Sequence, residues 1–437
     1  MTVGIRLPGG LVDGSRADGW LTRVQGFLHA GWTETVIDSA ITVDEAHHRT
    51  LAFRLHPAAP DVQLVAVGPR SVELRAVTSS VGPGYHAHLC DLARALAAEL
   101  GVAWDREGDA DPTGFFWSGD VSALDLAVLE DLRATARWLL TAPPPPAGSA
   151  PALLGLDSTH RFEVPGAVHT PLGPRTTSWL AQAAEQPEAA RDVFAWWEPG
   201  FGPRYELGRA LAEMWLLVRW RPPISGEERA LLVDIDRRLR IAHEREPSLE
   251  LPWREWAELR RWIGASAPLP RPASIPDRPP IGYRRHPVRV TLAGGWSIVI
   301  HGSLAETWEG TGALVVTDGA RTLRLVTEPS AVPGAAAWRE ARSEAPEPDS
   351  RDTLPESEPH PERDTLVVPA FAFPATLTPP LTGHFQRRAG GPEEEVSFEV
   401  DGVVTGDGAR AIVELAYSRP DDEAWALAML ASLRHDA

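Results

Sequence analysis

The chain has 437 residues, 60 acidic against 42 basic side chains, a formal charge of −18, 43% hydrophobic residues and a single cysteine. At about 100–200 residues per domain this length is two to four domains rather than one small module, and the acidic balance works against binding a phosphate backbone or an anionic membrane surface. All of the basic residues are arginines, which excludes Schiff-base catalysis and lysine-dependent phosphate loops, and with them P-loop nucleotide hydrolases, the usual protein kinases and pyridoxal-phosphate enzymes.

In chain order, Trp20, Leu21, Val24, Phe27 and Leu28 recur at helical spacing, with Gly31 as the expected C-terminal cap. Segments 51–55, 62–67 and 71–76 alternate or run apolar over strand-like lengths, and short connections predict a small, mostly antiparallel sheet. Tyr85, Leu89, Leu92, Leu96 and Leu100 mark a second helix ending at Gly101, and Asp120 is the expected N-cap of a third running to Leu140. The prolines of 142–151 close this part. From 176 to 262 the chain holds eight of its 17 tryptophans and three helical patterns, around Leu207 to Val218, Leu231 to Ala242, and from Pro252 onward. After a second proline-rich stretch, 288–290, 296–300, 314–316, 322–325, 396–400 and 411–417 read as strands. Asp421-Asp422-Glu423 open a closing helix, where the dipole favours negative charge.

The expected class is therefore α+β multidomain. It comprises an N-terminal α+β sheet-and-helix domain (1–141), a linker and irregular segment (142–175), and a Trp-rich α-helical middle (176–263). A linker (264–281) and a β-rich α/β C-terminal sandwich (282–437) with an acidic, disordered insertion (339–364) complete the chain. The stretch IAHEREPSLELPWREWAEL resembles one tetratricopeptide-like helical hairpin. GWSIVIHGSLAETWEG, the strands after it and the final AWALAMLASLR resemble the Mog1/PsbP-like α/β/α sandwich. That resemblance implies a binding, adaptor or assembly role without shared catalytic residues.

The densest reactive cluster is GPGYHAHLCD at 82–91. His86 and Cys90, four apart on a helix, share a face and have the spacing of two metal ligands, which His47, His48, His160 or His169 could complete. A catalytic use would engage His86, His88 and Cys90. The ordinary reading is a histidine at a helix start beside a buried cysteine, so no metal and no cofactor is expected. The turn at 78–84 could cradle an anion at a helix N-terminus, but alanine at 87 breaks the G-x-G-x-x-G pattern. No G-x-S-x-G, H-E-x-x-H or C-x-x-C occurs. Trp215, Arg219, Trp220, Arg221, Trp253 and Trp256 interleave arginine with tryptophan, a composition suited either to cation–π packing in a core or to a partner-binding surface.

The lone Cys90 cannot form an internal disulfide, the N-terminus lacks a secretory pattern, and no apolar run reaches membrane-spanning length. These features lead to the expectation of a non-catalytic cytoplasmic interaction protein, of adaptor, accessory or immunity type in a bacterial conflict or secretion system. It would bind a protein partner, and neither nucleic acid nor membrane. The alternative is a small-ligand-binding or metal-dependent enzyme with its site at the 78–91 turn.

Overall fold

In the computed structural model, the residues described are 3–43, 49–106, 111–142, 160–162, 164, 168–266, 269, 278–309, 313–328, 371–372, 377, 381–389, 398–406 and 409–435. The acidic insertion 339–364, most of both proline-rich linkers, His47 and His48 lie outside them. The protein is mixed α+β with several antiparallel sheets. It divides into two units, residues 1–288 with 301–303, and residues 289–300 with 304–437. The segments 1–141 and 176–263 thus belong to the same unit. Among the described residues no helix is long and apolar enough to cross a membrane.

The first unit opens on β1 (Gly4–Leu11), α1 (Ala17–Gly31), β2 (Asp38–Val43), β3 (Arg49–Arg54), β4 (Val62–Gly68) and β5 (Ser71–Val77). It continues with α2 (Pro83–Leu100), β6 (Val102–Trp104), α3 (Phe115–Ser118) and α4 (Val121–Thr141). The sheet order is β2-β3-β4-β5-β1-β6, antiparallel throughout. Its apolar residues alternate as a half-buried sheet requires: Leu51 and Phe53, Val62 and Leu64, and Ile5 and Leu7 are enclosed, and α1 packs against β3 and β4. The helix patterns are correctly placed, except at one end. Gly31 is the last helical residue and Trp32 takes the cap position, its N–H reaching the Leu28 carbonyl oxygen. Gly101, at φ 66°, ends α2 in the left-handed conformation expected of it, and Asp120 Oδ1 caps α4 through the Ala123 N–H at 3.1 Å.

Three short strands, β7 (His160–Phe162), β8 (Val168–Thr170) and β9 (Gly173–Arg175), lead to α5 (Thr177–Glu185), α6 (Pro203–Leu216), α7 (Gly226–Arg245) and α8 (Trp253–Ile263). The last three helices share one apolar core around Met214, Ile235, Leu239, Trp256 and Leu259. On β8, His169 is 2% exposed beside Phe162 and Tyr283. Burial, with His286 adding to it, pushes its pKa down to about 4. An imidazole whose folded pKa lies below its unfolded value of about 6.5 favours the fold above pH 6.5, and that contribution is lost as pH falls toward 4. Between pH 7 and pH 4 the protein should therefore lose about 3 kcal/mol more stability than His169→Phe, since each tenfold change in proton affinity is worth about 1.4 kcal/mol. Equal acid sensitivity in urea titrations at the two pH values would refute this.

The chain passes into the second unit within β10 (Pro287–Thr291). There follow β11 (Trp296–His301), β12 (Ala305–Glu309), β13 (Ala313–Thr317), β14 (Arg321–Glu328), β15 (Phe371–Ala372), β16 (Thr382–Ala389), β17 (Phe398–Gly406), β18 (Ala409–Tyr417), α9 (Glu423–Ala431) and β19 (Arg434–His435). Seven of these strands make one antiparallel sheet in the order β12-β13-β14-β18-β17-β16-β15, and β11 pairs with β19. One face carries Leu314, Leu323, Leu325, Val400, Val413 and Leu415, all enclosed. The other carries charge, with Arg324 bridging Glu309 and Glu414.

Candidate metal centre

The first unit's central helix is α2, in which every residue from Pro83 to Cys90 is buried. Its entry is dictated by one close approach. The Trp196 N–H donates to the Val81 carbonyl oxygen at 3.0 Å and the Gly84 N–H to the Trp196 carbonyl oxygen at 3.1 Å. A methyl group at Gly84 would overlap the Trp196 indole, and one at Gly82, itself at φ 122°, would meet the Trp196 carbonyl oxygen. The two glycines thus answer to Trp196, and the turn that could have cradled an anion is covered by the protein's own chain.

Within α2, His86 and Cys90 face the same way, as their spacing predicts. The third member of the group is Asp111, from the loop before α3: one ligand-type atom from each of His86, Cys90 and Asp111 lies within 4.8 Å of the others, and all three residues are buried. The Asp-Pro-Thr-Gly sequence builds that position locally. Asp111 Oδ1 accepts from the Thr113 N–H at 2.9 Å and the Thr113 hydroxyl at 2.7 Å, and Oδ2 accepts from the Phe116 N–H at 2.7 Å. Gly114, at φ 69°, lets the chain turn back around the carboxylate. Burial alone would raise the Asp111 pKa, but His86 and the Phe116 and Thr113 hydrogen bonds outweigh it and bring it to about 2. His86 Nε2 stands 3.5 Å from Asp111 Oδ1, while Nδ1 is 2.9 Å from the Thr78 hydroxyl.

This arrangement suits a divalent transition metal. Around a tetrahedral zinc ion ligand atoms lie about 3.3–3.8 Å apart, so the His86–Asp111 separation of 3.5 Å already matches and Cys90, within 4.8 Å of both, is at most about 1.5 Å too far. The Thr78 hydroxyl on the far ring nitrogen is the kind of outer partner that orients a metal-bound imidazole. Nucleophilic catalysis is poorly served here. Burial pushes the Cys90 thiol pKa up, with the negative charge of Asp111 adding to it, whereas an activated cysteine needs a depressed one and access to substrate.

His88 does not join this group. It is boxed by the rings of Trp32, Trp196 and Phe201 at centroid distances of 4.9, 5.0 and 5.3 Å, and burial brings its pKa down to about 4. His160 and His169 are likewise outside it. Sequence reading missed Asp111: its turn chemistry was visible, but its meeting with a histidine 25 positions earlier was not.

The Trp/Arg set divides by depth. Trp256 is fully enclosed and Trp253 nearly so, stacked on each other at 5.4 Å in the helical core. Trp215, Arg219, Trp220 and Arg221 are half-buried. Trp215 packs against Gly173, the Arg285 guanidinium lies 3.7 Å over the Trp220 ring, and Arg221 forms two hydrogen bonds to the Glu228 carboxylate. No protein-family model matches the chain, and no curated protein matches it either.

Proposed function

We propose that this is a non-catalytic binding protein whose first unit is stabilised by a divalent metal ion, zinc by donor set, held by His86, Cys90 and Asp111. The convergence of those three side chains in a buried site carries the reading. Three protein ligands leave the fourth position of a tetrahedral ion to water, but all three are buried, so the proposed ion acts by tying α2 to the 111–116 loop rather than by activating a substrate. Purified protein should contain about one zinc per chain, and zinc at a hundredfold excess over its Kd should stabilise the metal-free form by about 2.7 kcal/mol. Cys90→Ser and Asp111→Asn should abolish both effects. A metal-free preparation whose unfolding midpoint ignores added zinc would overturn the proposal.

The binding role is a protein-interaction one, of adaptor, accessory or immunity type, in the cytoplasm and without nucleic acid or membrane. The expected layout of α+β part, Trp-rich helical part and β-rich sandwich belongs to the same proposal. What supports a partner surface is Trp138 on α4, 64% exposed, a residue type enriched at binding hot spots. A partner recovered with the native protein should bind Trp138→Ala at least tenfold more weakly, a change of about 1.4 kcal/mol. Unchanged affinity would remove this surface from the interaction.

A further inference from the structure

Helix α6 carries Tyr205, Arg209 and Glu213 four residues apart, which places the three on one face. Such a polar stripe ordinarily meets water, but here all three are buried. Arg209 Nε donates to Glu213 Oε1 at 2.6 Å and Nη1 to the Leu55 carbonyl oxygen at 2.9 Å, so the stripe lies against the chain beside His56. The His56 ring is 6.3 Å from that of Tyr85 on α2, and the Arg238 guanidinium from α7 is 6.0 Å from the Tyr205 ring. In this neighbourhood four atoms have no hydrogen-bond partner among the described residues: His56 Nε2, Tyr85 Oη, Tyr205 Oη and Glu213 Oε2. Their residues are 0, 0, 5 and 3% exposed.

Each buried, unpaired polar group carries its full desolvation cost, and four together rival the whole stability margin of a domain. Native interiors rarely hold such a group without a partner or an ordered water. We propose that His56, Tyr85, Tyr205 and Glu213 enclose an internal binding site for ordered water, which joins the sheet-bearing and helical parts of the first unit.

The donor and acceptor pattern selects that ligand. The Ala58 N–H donates to His56 Nδ1 at 3.2 Å, so in the neutral ring Nε2 carries the hydrogen and donates. Burial, then Arg209 and Arg238, keep the ring neutral by lowering its pKa. A guest therefore meets a donor at His56, an acceptor at Glu213, and two hydroxyls that can serve either way. A bare anion is poorly matched, because the two guanidiniums already engage three carboxylates: Arg209 bonds Glu213, and Arg238 bonds Glu206 and Asp234. A bare cation would face the His56 N–H. Water both donates and accepts, and commonly makes two to four bonds in such a site.

Tyr205→Phe in the full chain tests this by the sign of its effect. With water in place the change strips a bond from the cluster and lowers the folding equilibrium constant about tenfold. In a dry site it deletes a buried orphan, leaving the constant unchanged or raised, which would overturn the proposal. A crystal structure of the unaltered protein supplies a readout independent of the variant. One or more waters within hydrogen-bonding distance of at least two of the four atoms are expected, and an empty chamber overturns the proposal.

Discussion

Gly208→Ala is expected to destabilise the first unit by about 3 kcal/mol or more, although alanine in a helix interior normally gains about 0.5–1 kcal/mol over glycine. Gly208 lies in the middle of α6, and a methyl group there would overlap the carbonyl oxygen of Ala195 and crowd its carbonyl carbon at 2.8 Å. The obstacle is backbone, so rotating a side chain cannot relieve it. Ala195 adjoins Trp196, which hydrogen-bonds Val81 and Gly84, so separating these segments also strains the entry to α2. Gly226→Ala is the matched control: it opens α7 with nothing within 4 Å of the added methyl, and should be neutral or stabilising by up to about 1 kcal/mol. Urea titrations followed by tryptophan emission compare the two. Equal midpoints would mean that the α6 contact with Ala195 is looser than the structure has it.

Asp236→Ala should cost about 3–5 kcal/mol, the effect of removing one partner from a buried charge network. Asp236, 3% exposed on α7, accepts through Oδ1 from the Trp256 Nε1–H and from Arg260 Nη1, each at 2.7 Å, and through Oδ2 from Arg240 at 2.7 Å. Its loss takes the acceptor from an enclosed indole and a carboxylate from an Arg260 side chain that is 7% exposed. Trp256→Phe keeps most of the ring packing and removes only the indole donor, so it should cost about 1–3 kcal/mol. If Asp236→Ala were no worse than Trp256→Phe, the ion pair with Arg260 would contribute nothing measurable, and the α7–α8 pairing would rest on apolar contact and the Arg229 hydrogen bond to the Ile263 carbonyl oxygen.

The arginine-only composition acquires a structural context in these networks. Arg209, Arg238 and Arg260 each hold a buried carboxylate, and the planar fork of a guanidinium can bond a carboxylate while reaching a second acceptor, as Arg209 does with the Leu55 carbonyl oxygen. An ammonium offers no such fixed geometry.

Elements whose cause is local were legible in the amino-acid order. The stripe Trp20, Leu21, Val24 and Leu28 made α1, Asp120 capped α4, Gly101 ended α2, and the alternation in 62–67 made β4, because helix and strand periodicity is written within a few neighbouring residues. His86 and Cys90 share a face for the same reason. β1 carries a Pro-Gly-Gly run that breaks any apolar alternation, and its place in the sheet comes from distant pairing, with Leu7 opposite Leu74 on β5. Tertiary packing alone brought Asp111 to His86, placed Trp196 over Gly82 and Gly84, and buried the polar stripe of α6 against Leu55. Those meetings join residues far apart in the chain. Their energies depend on which surfaces exclude water together, and no short window of sequence contains that information.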